Sequence, residues 1–231
     1  MGDSIESFTH FFWEEDYMKY SAIIFDLDGV ICHTDQYHYQ AWKAIADKLN
    51  ISFDENINNR LRGVSRMESL NIILEQYDGV MSEEDKIKYA EEKNNIYIKL
   101  LENMSETDLS YEVKNTLVEL RNRGLKLSIG SSSKNAKFIL NQIGLGNFFD
   151  AISDGNNIIH SKPGPEVFLK AAEYLNLPSE SCLVVEDAVA GLEAAIAGGM
   201  DSCAIGDAVL SCKATFNLES FNDLIGAVEK I

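Results

Sequence analysis

The chain has 231 residues, 45% of them apolar, enough to bury a core in one large domain or two smaller ones. Its 37 Asp and Glu outweigh 20 Lys and Arg, and the formal net charge of −17 argues against binding the phosphate backbone of nucleic acid; a small phosphorylated ligand remains open if cations gather in one pocket. No apolar run nears the roughly 18 residues of a membrane-spanning helix, and four cysteines without metal-type spacing imply neither a zinc site nor a disulfide scaffold, so a reduced, cytoplasmic protein with no membrane partner is expected.

Residues 1–17 are acidic and aromatic, carry no Lys or Arg, and read as an extension outside the domain rather than a signal peptide. Residues 21–25 (SAIIF) read as a buried parallel strand. Between about 34 and 104 only helical signals follow. Ala41, Trp42, Ile45, Ala46 and Leu49 form one stripe, and Leu70, Ile73, Leu74 and Tyr77 form another, opened by Ser65 and Glu68 at capping-box spacing. The stretch 82–102 is amphipathic, with Ile87, Ala90, Asn94, Tyr97 and Leu101 toward one face.

Strict alternation comes next. A helix over 111–123 ends at Gly124, a strand covers 125–129, and a helix over 134–143 ends at Gly144. After a short segment at 149–153 come a helix at 165–175, a strand at 182–185, a helix at 188–197, a strand at 202–205 and a last helix at 220–230. Strands alternating with helices of this length predict an α/β fold, a Rossmann-like parallel sheet covered on both faces. The expected organisation is a core domain from 18–33 and 105–231, with a helical cap domain over 34–104 inserted after the first strand.

Open parallel sheets bind ligands beyond the carboxyl ends of their strands. Three expected strand ends carry polar residues: Asp26 and Asp28 with Gly29, the run Ser131-Ser132-Ser133-Lys134-Asn135, and Glu186-Asp187. Lys162, ahead of Pro163, lies in a fourth connection. Gathered on one rim, four carboxylates could not all stay ionised without a counter-ion, since two like charges 4 Å apart repel by about 4 kcal/mol even at an effective dielectric of 20. Hard oxygen ligands suit Mg²⁺, one ion per chain. Lys162 and the serines add a place for a phosphoryl group, there is no Walker loop, and a carboxylate nucleophile is the simplest route. Taken singly the signals are weaker: Lys162 reads as a solvated lysine before a turn, Lys93 as part of a solvated helix face, His38 as a packed histidine, and the cysteines as core fillers.

Asp26-Leu-Asp-Gly-Val30, Ser131, Lys162-Pro163 and Glu186-Asp187, in this order on this framework, resemble the haloacid dehalogenase-like phosphotransferases. The strings Tyr37-His38-Tyr39-Gln40-Ala41-Trp42-Lys43, Arg62-Gly63-Val64-Ser65-Arg66 and Ser161-Lys-Pro-Gly-Pro165 are similar to the β-phosphoglucomutase branch of that family. The resemblance implies that Asp26 is the nucleophile, transiently phosphorylated, and that Asp28 is the general acid and base. It implies Mg²⁺ on Asp26, the main-chain carbonyl of Asp28, Glu186 and Asp187. Ser131, the Ser132 amide and Lys162 would hold the transferring phosphoryl, and Arg66, Ser133, Lys134 and Asn135 the phosphate at the sugar's other end.

By the same resemblance His38 and Lys93 couple substrate arrival to Asp28, Thr34 sits at the cap hinge, and Trp42, Arg62, Gly63, Val64 and Ser65 complete the substrate surround. The implied reaction interconverts β-glucose 1-phosphate and glucose 6-phosphate through β-glucose 1,6-bisphosphate. A phosphatase on the same scaffold, acting on a sugar phosphate or phosphoglycolate, and a non-catalytic phosphate-binding regulator are the alternatives. Monomer is the default state. His33, Gly130 and Ser132 depart from the family pattern; the last two stand where Ala is common.

Overall fold

The computed structural model describes residues 18–229, so the expected extension over 1–17 lies outside the described residues. Strand β1 (Ala22–Phe25) is followed by four helices: α1 (Asp35–Lys48), α2 (Glu55–Asn59), α3 (Arg66–Leu74) and α4 (Glu83–Leu101). The chain then alternates through α5 (Tyr111–Asn122), β2 (Lys126–Gly130), α6 (Ala136–Gln142), β3 (Ala151–Ser153), α7 (Glu166–Leu175), β4 (Cys182–Glu186), α8 (Val189–Ala197), β5 (Asp201–Ala204), β6 (Phe216–Asn217) and α9 (Leu224–Glu229). The six strands form one parallel sheet in the order β3-β2-β1-β4-β5-β6.

The period of two along each strand builds both layers of the core. Ile23, Phe25, Leu127, Ile129, Leu183 and Val185 face one side and pack with α5, α6 and α9. Ala22, Ile24, Cys182 and Val184 face the other and meet Phe168, Ala171 and Leu175 of α7 and Ala194 of α8. Each large apolar side chain so buried contributes roughly 1.5–3 kcal/mol. Helices α1 to α4 enclose a separate apolar cluster around Trp42, Ile45, Phe53, Leu70 and Ile73. Ser65 and Ser82 cap α3 and α4, each side chain accepting the backbone N–H three residues on.

Several local expectations are corrected. On α4 the buried face carries Ala90, Lys93, Tyr97 and Leu101, whereas Ile87 is half exposed. The last helix starts with a 3₁₀ turn at Phe221–Asp223, where Ser220 and Asp223 form the capping box. Strand β6, two residues long, is too short to leave a period in the sequence. Cys32, Cys182 and Cys203 are buried, as core fillers should be, but Cys212 is exposed in a left-handed turn. Among the described residues no helix is long and apolar enough to cross a membrane.

Gly130 ends β2 beneath α7. A Cβ there would lie 2.6 Å from Phe168 Cδ1 and 3.1 Å from Ile24 Cγ2. Gly130→Ala therefore overpacks this layer, and urea unfolding should show a loss of about 1–3 kcal/mol.

Candidate active site

The carboxyl ends of the two central strands supply the acids. Asp26 follows β1 directly and donates its backbone N–H to the Val185 carbonyl at 2.9 Å. The chain then turns through Gly29 at φ 90°, whose N–H bonds the Cys32 carbonyl at 2.7 Å. Only glycine suits this position, for the left-handed backbone and because a Cβ would collide with the Asp187 carboxylate. Glu186 ends β4; its Oε1 accepts the backbone N–H groups of Asp187 (3.1 Å) and Ala188 (3.0 Å). In the first turn of α8, a Cβ on Gly191 would overlap Glu186 Oε2.

Lys162 joins the two strand ends. Its ammonium donates to Asp26 Oδ1 and, at 2.8 Å, to Glu186 Oε2, and it stands 4.7 Å from the centroid of the Phe168 ring. Only 2% of the residue is exposed, so the solvated-lysine reading is wrong: two carboxylates draw the ammonium inward. Burial opposes its charge, but Asp26 and Glu186 outweigh that and raise its pKa.

One oxygen from each of Asp26, Glu186 and Asp187 lies within 4.8 Å of the others, and all three residues are buried. Burial, opposed by Lys162, lifts the Asp26 carboxyl well above the ordinary carboxylate range. Burial, with Glu186 and Asp26 adding to it and Arg62 opposing it, lifts Asp187 likewise. Carboxyls held so far above their ordinary range mark a site short of positive charge. An all-oxygen donor set of this kind fits a hard divalent cation such as Mg²⁺.

Asp28 stands beside this cluster and accepts a hydrogen bond from the buried Thr34 hydroxyl. Burial raises its carboxyl to about 6, against the pull of the Thr34 bond. Lys93 reaches in from α4 with Nζ 2.8 Å from His38 Nδ1 and 4.3 and 5.0 Å from the Tyr97 and Trp42 ring centroids. The aromatic walls, together with His38, explain why this lysine leaves the solvated face. Burial and the neighbouring Arg66 depress its pKa, and burial and Lys93 depress that of His38.

A cleft of 560 Å³ between the helical insert and the sheet rim brings most of the expected residues together. Asp26, Asp28 and Asp187 line it, as do His38, Trp42, Lys93, the run from Arg62 to Arg66 and the run from Ser131 to Asn135. Thr34, Lys162 and Glu186 stand behind the lining and hold it.

Its cations differ in their partners. Arg62 is engaged by Asp35 at 2.7 Å, Asp207 at 3.0 Å and Asp187 at 3.6 Å. Arg66 and Lys134 form no ion pair among the described residues. Among the described residues two hydrogen bonds join the 131–135 loop to the insert: Ser132 Oγ donates to the Gly63 carbonyl at 3.1 Å, and Asn135 Nδ2 to Asn94 Oδ1 at 2.9 Å. Asp35 and Asp207 were missed as partners of Arg62; Asp207 follows β5, so the strand-end rule applied one strand further would have found it.

A haloacid dehalogenase-like hydrolase family profile matches residues 23–205. The β-phosphoglucomutase of Bacillus subtilis (strain 168) is 38% identical over 188 residues, covering 80% of this chain and 83% of that protein. The fructose-1-phosphate phosphatase of Escherichia coli (strain K12) is 30% identical over 187 residues, 80% of this chain and 96% of the other. The crystal structure of β-phosphoglucomutase from Clostridium difficile superposes with a TM-score of 0.85 at 38% identity, covering 91% of this chain and 97% of that one.

Lys162→Met removes the ammonium and leaves Asp26 and Glu186 buried without their partner. Denaturant unfolding in the absence of divalent ions should lose about 3–5 kcal/mol, the cost of breaking a buried pair from one side.

Proposed function

The chain belongs to the haloacid dehalogenase-like hydrolase family, and from that premise we propose that it is a Mg²⁺-dependent β-phosphoglucomutase. It interconverts β-glucose 1-phosphate and glucose 6-phosphate through β-glucose 1,6-bisphosphate. Residues 34–104 serve as the cap and 18–33 with 105–231 as the catalytic core, in a cytoplasmic monomer. The observation that carries this reading is a single cleft with phosphate-sized demands at two places. Asp26 lies at a strand end with Lys162 bonded to it from behind, and Arg66 and Lys134, without ion-pair partners among the described residues, are left over for a second anion.

Asp26 attacks a phosphoryl group and carries it as an acyl phosphate. Lys162, the Ser131 hydroxyl and the Ser132 amide balance charge that spreads over the transferring oxygens. Asp28, its carboxyl poised at about 6 by burial, gives a proton to the leaving sugar oxygen and takes one from the attacking hydroxyl, a contribution of roughly 10²–10⁴-fold. Its bond to Thr34 holds that carboxyl in place until substrate enters. Arg66, Ser133, Lys134 and Asn135 grip the phosphate that is not being transferred, and the bisphosphate turns over between the two ends. Asp26, the Asp28 carbonyl, Glu186 and Asp187 would hold Mg²⁺, which when bound neutralises charge on the phosphoryl oxygens.

A second reading, hydrolysis of a sugar phosphate, draws support from the likeness to the Escherichia coli phosphatase. The two differ in whether a sugar hydroxyl or water accepts the phosphoryl group of Asp26. Given β-glucose 1-phosphate, Mg²⁺ and a trace of the bisphosphate, the protein should form glucose 6-phosphate with little free phosphate. Free phosphate as the main product would establish the phosphatase, and neither product would establish a regulator. Asp26→Ala should abolish turnover. Arg66→Ala should raise KM roughly 10–100-fold, the worth of hydrogen bonds to a charged group, while slow phosphate release continues.

A further inference from the structure

The turn after β3 brings Gly155 to the wall of the cleft. It begins at Asp154, which is buried and whose Oδ1 accepts the Asn156 N–H at 2.9 Å, while Asn157 Oδ1 accepts the Asp154 N–H at 2.7 Å. Asn157 Nδ2 ties the same turn to Ser153 Oγ at 3.2 Å and to the Tyr174 hydroxyl at 3.1 Å. The turn is thus fixed on its own side, and it lies along the 131–135 loop.

Three contacts run between them, and all converge on Lys134. The Gly155 N–H donates to the Ser133 carbonyl at 3.1 Å. The Asn156 side-chain amide donates to the Lys134 carbonyl at 2.9 Å. Those two carbonyls belong to the peptide planes on either side of Lys134. Because peptide units are planar, holding both planes fixes the direction in which the Lys134 side chain leaves the backbone. The third contact is steric. A Cβ on Gly155 would collide with the Ser132 carbonyl oxygen and lie 3.0 Å from Lys134 Cγ, so the bare glycine leaves the room that the lysine stem occupies.

We propose that Gly155 and Asn156 are positioning residues that aim Lys134 at the phosphate not being transferred, and so set the affinity for a doubly phosphorylated sugar through that lysine. The proposal rests on the reading that Lys134 holds that phosphate. Asn156 is exposed and outside the cleft lining, so its truncation leaves the fold intact.

The test compares β-glucose 1-phosphate, turned over with a trace of the bisphosphate, against acetyl phosphate, a donor with one phosphate that needs only the Asp26 end. Asn156→Ala should raise KM for the sugar phosphate about fivefold, the worth of one hydrogen bond, with kcat nearly unchanged. Its hydrolysis of acetyl phosphate should match wild type. Asn156→Gln, which keeps an amide donor, should recover part of the loss. Gly155→Ala should raise KM further, since the loop itself must shift. Lys134→Ala is the control. If it raises KM and the two turn variants do not, or if they lower kcat on both substrates alike, the positioning role is overturned. If Lys134→Ala leaves KM unchanged, the far-phosphate reading falls and the proposal falls with it.

Discussion

A buried ammonium between two strand ends is the constraint on which the site depends. Lys162 donates to Asp26 on β1 and to Glu186 on β4, strands that are adjacent in the sheet but far apart in the chain. Concentrating carboxylates there costs desolvation and mutual repulsion that a single ammonium offsets only in part, as the raised Asp26 and Asp187 carboxyls show. The surroundings are cut to the same demand. Gly29 makes way for the Asp187 side chain, Gly191 for that of Glu186, and Phe168 sets its ring under the ammonium. A shortfall of positive charge is what makes such a centre receptive to a divalent cation.

Around this centre the insert makes few polar connections to the rim. Ser132 reaches the Gly63 carbonyl, Asn135 reaches Asn94, and Arg62 is shared among carboxylates from both sides. The insert keeps its own apolar cluster around Trp42, while Ala41 of α1 and Tyr97 and Leu101 of α4 join the main core and anchor it to the sheet domain. The Ser132 hydroxyl ties the rim to the insert. These contacts lie across the mouth of the cleft and narrow the access of water to the acids beneath.

The sheet and the acids were legible because their signals are local. Alternation of strands with helices marks a parallel sheet, and apolar strands ending in Asp26, Glu186 and Asp187 mark its active rim. Lys162 and Lys93 were not legible from spacing. Each is buried by partners remote in sequence, Asp26 with Glu186 for one and the aromatic rings with His38 for the other. The family resemblance singled both out where pattern reasoning sent them to solvent. Asp207 and Asn156 escaped both routes: one acts through a salt bridge to the insert, the other through a single hydrogen bond to a backbone carbonyl. Such contacts leave no trace in periodicity.

The strand that leads into Asp26 precedes both of its sheet partners in the chain and is completed late. Its register pairs Ala22 with Lys126 on one side and with Cys182 on the other, so both neighbours emerge from the ribosome only after the whole helical insert. Long-range parallel pairing of this kind is slow, because loop closure must come before any contact rewards it. The insert draws on contacts closer in sequence and has its own apolar cluster, which lets it collapse ahead of the sheet. During synthesis β1 is therefore an apolar segment, Ala22–Phe25, whose partners in the sheet arrive only after the insert.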